Sequence, residues 1–124
     1  MKLIPHLVAA LTAAACIWGT PAGAENWPGW RGPRGDGTST DKQAPTQWSS
    51  TNNIAWKTPI AGLGHSSPIV WGDRLFLTTA LPETQERLLL CLERATGKLL
   101  WQQTVLRAPL EAKNGENSFA SSTP

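Results

Sequence analysis

Two short signals recur along this chain at a spacing that few architectures use. Trp56-Lys57-Thr58-Pro59-Ile60 is echoed 45 residues later by Trp101-Gln102-Gln103-Thr104-Val105, and Ser66-Ser67-Pro68 is echoed about 55 residues later by Ser121-Ser122-Thr123-Pro124. Self-similarity at such a period describes a supersecondary unit that buries its faces against copies of itself and not around a private core. Composition enters the argument in one place: seven tryptophans with no tyrosine in 124 residues mark indole as a recurring structural part. The charge balance excludes other classes. With 11 Lys and Arg against 9 Asp and Glu, the chain is too weakly charged for a disordered acidic or basic tail. Its basic residues are scattered, so the clustered phosphate contacts of a nucleic-acid binder are missing.

The first 24 residues read as an export signal. Lys2 gives a positive start, Leu3 to Trp18 an apolar run, and Pro21-Ala22-Gly23-Ala24 the small-residue ending that a signal peptidase cleaves, which places the mature start at Glu25. The apolar run is broken by Pro5 and His6 and is shorter than the roughly 20 residues of a membrane-spanning helix, so no transmembrane helix is expected after cleavage. Ala14-Ala15-Cys16 has the small residues of a lipoprotein signal, but Ala13 stands where that signal prefers Leu, which makes lipid anchoring at Cys16 the minor alternative. An exported, periplasmic or extracellular location follows. The mature part keeps one cysteine, Cys91, and one histidine, His65. An intramolecular disulfide is therefore excluded, and no set of metal ligands stands at a recognisable spacing.

Residues 25–53 read as an irregular lead-in, dense in Gly and Pro from Trp27 to Gly37 and polar thereafter. Arg34-Gly35-Asp36 matches a cell-adhesion tripeptide, which chance supplies readily in such a loop, and Arg31 and Arg34 are placed to lie over Trp27 or Trp30. From Ile54 the pattern turns to strands. Ile54, Trp56, Thr58 and Ile60 alternate with Ala55, Lys57 and Pro59, predicting a strand with one buried face, at an edge because of Pro59. Gly62 to Ser67 turns the chain. Pro68 to Trp71 and Arg74 to Thr79 then flank Gly72-Asp73, the signature of a two-residue hairpin with Gly at a positive φ. Leu81 to Gly97 admits two readings: a helix with Pro82 in its first turn and Gly97 as its cap, or a hairpin in which Leu88 to Glu93 and Lys98 to Val105 are joined by Arg94-Ala95-Thr96-Gly97. Periodicity does not separate them, but the repeat does. A period of about 40 to 50 residues is that of a four-stranded propeller blade, and four strands are reached only with the hairpin.

Cys91-Leu92-Glu93-Arg94-Ala95-Thr96-Gly97-Lys98-Leu99-Leu100-Trp101 resembles the tryptophan-docking motif of β-propellers of the pyrroloquinoline quinone (PQQ) repeat type, Ala-x-Asp-x-x-Thr-Gly-x-x-x-Trp. Thr96, Gly97 and Trp101 match it, while Cys91 replaces Ala and Glu93 replaces Asp. The run from Asn26-Trp27-Pro28-Gly29-Trp30 through Gly64-His65-Ser66-Ser67-Pro68 to Asn117-Ser118-Phe119-Ala120 is similar to the N-terminal part of secreted bacterial members. The resemblance implies an all-β propeller in which an indole packs on the Thr-Gly peptide of a neighbouring blade, a role that falls to Trp101 and, more weakly, to Trp56. Residues 54–124 would then form about one blade and the start of a second. A closed ring of about seven or eight blades needs roughly 300 residues or more, so the chain is expected to be an N-terminal fragment whose first partners are the missing blades.

Two functions remain open under that resemblance. One is a non-catalytic exported scaffold for protein interaction or envelope assembly, with envelope proteins as partners and no cofactor in this fragment. The other is the opening segment of a quinoprotein dehydrogenase using PQQ and calcium, which the resemblance would equip with axial carboxylates, Asn, Arg and often adjacent cysteines. No catalytic, cofactor-binding or metal-binding residue can be assigned here, and the scaffold is favoured. His65-Ser66-Ser67 places a base beside hydroxyls without an orienting carboxylate, and a serine tying down the turn is the simpler reading. Gly62-Leu63-Gly64 lacks the third glycine and the helix of a dinucleotide loop. Leu88, Leu89, Leu90 and Leu92 read as a buried strand.

Overall fold

The computed structural model describes residues 25–124; the segment expected to be an export signal, with Cys16, lies outside the described residues. Four strands, β1 (Ile69–Trp71), β2 (Arg74–Leu81), β3 (Glu86–Glu93) and β4 (Leu99–Arg107), form one antiparallel sheet in chain order. The described residues are all-β, with no helix, and among them none is long and apolar enough to cross a membrane.

Each connection has a local cause. Gly72 takes φ 54° while Asp73 stays at ordinary φ, as the tight β1–β2 connection requires. Between β2 and β3 the turn runs over Pro82 to Gln85, and Gln85 itself adopts φ 57°. Gly97, at φ 71°, closes the β3–β4 turn, with its N–H donating to the Glu93 carbonyl at 2.8 Å and the Glu93 N–H donating to the Lys98 carbonyl at 2.9 Å. The contested stretch is thus a hairpin. Its continuous apolar run, Leu88 to Leu92, suits a central strand covered on both faces, and Leu88, Leu90, Cys91 and Leu92 are all buried.

Register divides the side chains between two faces. On one, Leu88, Leu90 and Leu92 form the core with Leu75, Leu77, Leu81 and Ile60 packed against them. On the other, Ile69, Phe76, Cys91 and Trp101 stand in one row across the sheet. Cys91 is small enough for the Phe76 and Trp101 rings to meet across β3, 6.0 Å apart and tilted by 54°.

The expected strand at Ile54–Ile60 is absent: this segment joins no ladder. Its period-two pattern has a different physical origin. Trp56, Thr58 and Ile60 are partly buried while Ala55, Lys57, Pro59 and Ala61 are exposed, so the segment is a strap laid on the leucine face. Pro59, without an N–H, has no donor to give a ladder. The strap reaches the sheet edge where Leu63 and Ala80 exchange backbone bonds of 2.8 and 2.9 Å. Gly62, at φ 91°, makes that approach possible, since a Cβ there would collide with the Ala80 carbonyl.

The two sheet edges differ. Outside β1, Trp27 exchanges two backbone bonds of 2.8 Å with Val70, and Asn26 Oδ1 accepts from the Gly72 N–H at 2.6 Å. The rest of residues 25–53 is irregular. All nine residues of β4 are exposed, among them Leu99, Leu100, Trp101, Val105 and Leu106. Register shifts in the β3–β4 ladder leave Leu100 and Val105 without direct partners.

Candidate functional site

The motif residues meet at the end of the sheet where both hairpin turns lie. Arg94 N–H donates to the Asp73 carbonyl at 3.0 Å, joining the β3–β4 turn to the β1–β2 turn. Inside the former, Thr96 Oγ1 donates to Glu93 Oε2 at 2.5 Å and accepts from the Lys98 N–H at 3.2 Å. Glu93 thus supplies the carboxylate that holds the threonine. The strap then brings Trp56 onto this turn. Its Nε1 donates to the Arg94 carbonyl at 2.9 Å, and Thr58 Oγ1 donates to the Gly97 carbonyl at 2.7 Å. A Cβ on Gly97 would come within 2.5 Å of Trp56 Cδ2 and of Thr58 Oγ1. Glycine is required here twice, for its φ and for the indole seated on its α-carbon.

The expected docking residues are therefore brought together in part. Trp56 sits on Gly97, next to Thr96 in the same turn, whereas the resemblance gave the greater weight to Trp101. That indole lies on β4 beside Phe76, 45% exposed. Beneath the strap, between Pro59, Ile60, Leu81, Leu88, Leu90 and Leu99, runs an apolar cavity of about 220 Å³.

A second junction joins the two copies of the serine signal. Ser66 Oγ accepts from the Thr78 N–H at 3.1 Å, filling the β2 edge between Leu63 and β1. Thr78 Oγ1 donates to the Ser122 carbonyl at 3.2 Å, and the His65 N–H donates to the Ala120 carbonyl at 2.9 Å. Ser66 thus ties down the turn, and His65 is exposed beside it with no carboxylate oriented on its ring in any hydrogen bond of the described residues. Sequence reasoning found both serine signals by their likeness but not their meeting, because likeness carries no distance.

Other groups are committed to structure. Arg34 pairs with Glu25 at 2.6 Å and donates to the Thr38 carbonyl, while Asp36 Oδ1 accepts from the Thr38 N–H and hydroxyl, so the Arg34 and Asp36 side chains, though exposed, are tied to neighbouring residues of the lead-in. Arg31 lies over Trp30, 4.6 Å from the ring centroid. Arg87, buried on the β3 face opposite the leucines, donates to the Ala108 carbonyl at 2.7 Å and pairs with Glu111; a lone arginine within an apolar strand was the available signal for this tie. The Glu86 carboxyl is held down to about 2 by Arg107, helped by hydrogen bonds from Thr84 and Thr104. Burial pushes the Cys91 thiol up. Among the described residues no three of His, Cys, Asp and Glu are gathered as a metal site.

Comparisons with protein-family models, with curated proteins and with solved structures found no match for this chain.

Proposed function

We propose that the chain forms one blade of an exported β-propeller of the PQQ-repeat type and serves as a non-catalytic scaffold for protein interaction or envelope assembly. The observation that carries this reading is the Trp56 indole seated on Gly97 and bonded to the Arg94 carbonyl, a contact that resembles, within this chain, the packing of indole on a Thr-Gly turn by which such propellers join their blades. The four-stranded meander has the strand count of a blade, and β4, open on both faces, is where a following blade would pack. The neighbouring blades are then the first partners, and envelope proteins the next.

Two experiments test the two halves of the proposal. A photoreactive residue at Val105 in the exported protein should cross-link to a polypeptide carrying further Thr-Gly-x-x-x-Trp repeats, identified by mass spectrometry; capture of only repeat-free protein overturns the blade reading. Titration with PQQ and calcium should give neither saturable binding nor dye-linked dehydrogenase activity; either one overturns the non-catalytic reading and restores the quinoprotein alternative.

A further inference from the structure

The five asparagines of the chain, Asn26, Asn52, Asn53, Asn114 and Asn117, sit in very different chemical settings. Only Asn114 is followed by glycine. Its neighbour Gly115 has nothing within 4 Å of the Cβ position, and both residues are exposed to water. The turn they form is closed by the Asn117 N–H donating to the Asn114 carbonyl at 3.0 Å. A second bond aims the Glu116 N–H at Asn114 Oδ1, at 3.1 Å.

We propose that Asn114 is a self-modification site, at which the Gly115 backbone nitrogen attacks the Asn114 carboxamide and water completes the conversion to aspartate and isoaspartate. The Gly115 nitrogen, on losing its proton to hydroxide or water, forms a bond to Asn114 Cγ. Charge develops on Oδ1 in the tetrahedral intermediate, where the Glu116 N–H already points. The Cγ–Nδ2 bond then breaks and ammonia leaves with the proton it needs. Water adds to either carbonyl of the resulting five-membered imide. Opening on one side gives aspartate, on the other isoaspartate with one more carbon in the main chain.

The remaining candidates are disarmed by contacts already in place. Attack on Asn26 would need the Trp27 nitrogen, which is committed to Val70 at 2.8 Å. Attack on Asn117 would need the Ser118 nitrogen, which donates to Ser121 Oγ at 3.1 Å. Asn53 is anchored through Nδ2 to the Gln47 carbonyl at 2.7 Å and is followed by the β-branched Ile54, and Asn52 is followed by Asn53, whose side chain flanks the nitrogen that would attack. The related pair Asp36-Gly37 is blocked on both sides: the Gly37 N–H donates to the Arg31 carbonyl at 2.9 Å, and two bonds from Thr38 keep the Asp36 carboxyl ionised and so a poor electrophile.

The test incubates the purified chain in mildly alkaline buffer and follows each asparagine by peptide mass spectrometry, with an isoaspartyl methyltransferase as the probe for the isomer. Asn114 should convert about tenfold or more faster than any other asparagine. Gly115→Val, tolerated because the site is open and at ordinary φ, should slow conversion by a similar factor. The folded chain should also react faster at Asn114 than the chain unfolded in urea, since only the fold aims the Glu116 N–H. A rate at Asn114 no greater than at the other asparagines, or a Gly115→Val chain that converts as fast, overturns the proposal. A faster reaction in urea overturns the part assigned to the Glu116 N–H and leaves a site that local sequence alone would create.

Discussion

Replacing Gly97 by Ala separates a seated indole from an ordinary turn. Two costs apply. Holding an L-residue at φ 71° costs about 1 kcal/mol. The new methyl also enters the space of the Trp56 ring and of Thr58 Oγ1, so the strap must lift. Losing a mostly buried tryptophan costs about 3 to 5 kcal/mol, and a partial slide of the ring about half of that. Gly97→Ala should therefore lower stability by about 3 kcal/mol or more. Gly72→Ala is the matched control: Gly72 has φ 54° and nothing within 4 Å of its Cβ position, so only the backbone cost of about 1 kcal/mol applies. Urea unfolding followed by far-ultraviolet circular dichroism, at dilutions where sedimentation shows a single species, measures both. In a Trp56→Ala background the cost of Gly97→Ala should fall toward the Gly72→Ala value, because the ring it displaces is gone and only the contact with Thr58 Oγ1 remains. Equal costs for Gly97→Ala and Gly72→Ala, within about 0.5 kcal/mol, would refute the seat.

Other outcomes follow from the same contacts. Trp101→Ala should cost about 1 to 2 kcal/mol in the isolated chain, below the range for a buried indole, because the ring is 45% exposed and leans on Phe76; the same urea titration reads it. The Glu86 carboxyl lies below the ordinary 4.5, so its contribution to stability is complete above that value and is lost as pH falls toward about 2. Its carboxyl carbon should titrate near 2 by nuclear magnetic resonance, and Arg107→Ala should return the midpoint toward 4.5. The chain should self-associate with concentration in sedimentation through the uncovered β4, and Val105→Lys on that edge should suppress the association. The Cys91 thiol, 1% exposed, should resist a disulfide reagent until the chain is unfolded, and a fast reaction under native conditions would contradict its place between Phe76 and Trp101.

Much of the sheet was legible from local chemistry. Gly72-Asp73 between two β-rich runs placed the first hairpin, and the recurrence of Trp56 at Trp101 chose a hairpin over a helix for Leu81 to Gly97. Alternation at Ile54 to Ile60 reported an extended segment with one face buried, yet it could not say whether hydrogen bonds or packing held that segment, since both bury every second side chain. The same limit explains why the seating of Trp56 was not foreseen in detail. Spacing puts each tryptophan near a Thr-Gly turn only in the sense of sequence distance, while the seat is filled by a residue brought back over the leucine face. The Arg87 tie and the meeting of the serine signals depend on long-range register, which no short pattern encodes.

The ties that complete the molecule span much longer stretches than the connections inside the sheet. Trp56 to Arg94, Asn26 to Gly72 and Thr78 to Ser122 are separated by 38, 46 and 44 residues. Closing such loops carries an entropic cost that the short hairpin turns escape, so the hairpins form first and the strap closes on them afterwards. For a chain delivered across a membrane from its N-terminus, this sets an order in time. Were the chain exported as proposed, the lead-in and strap would emerge first and wait, unpaired, until the turn at Arg94 to Gly97 had followed them out, leaving Trp27 and Trp56 open to capture by a chaperone over that interval.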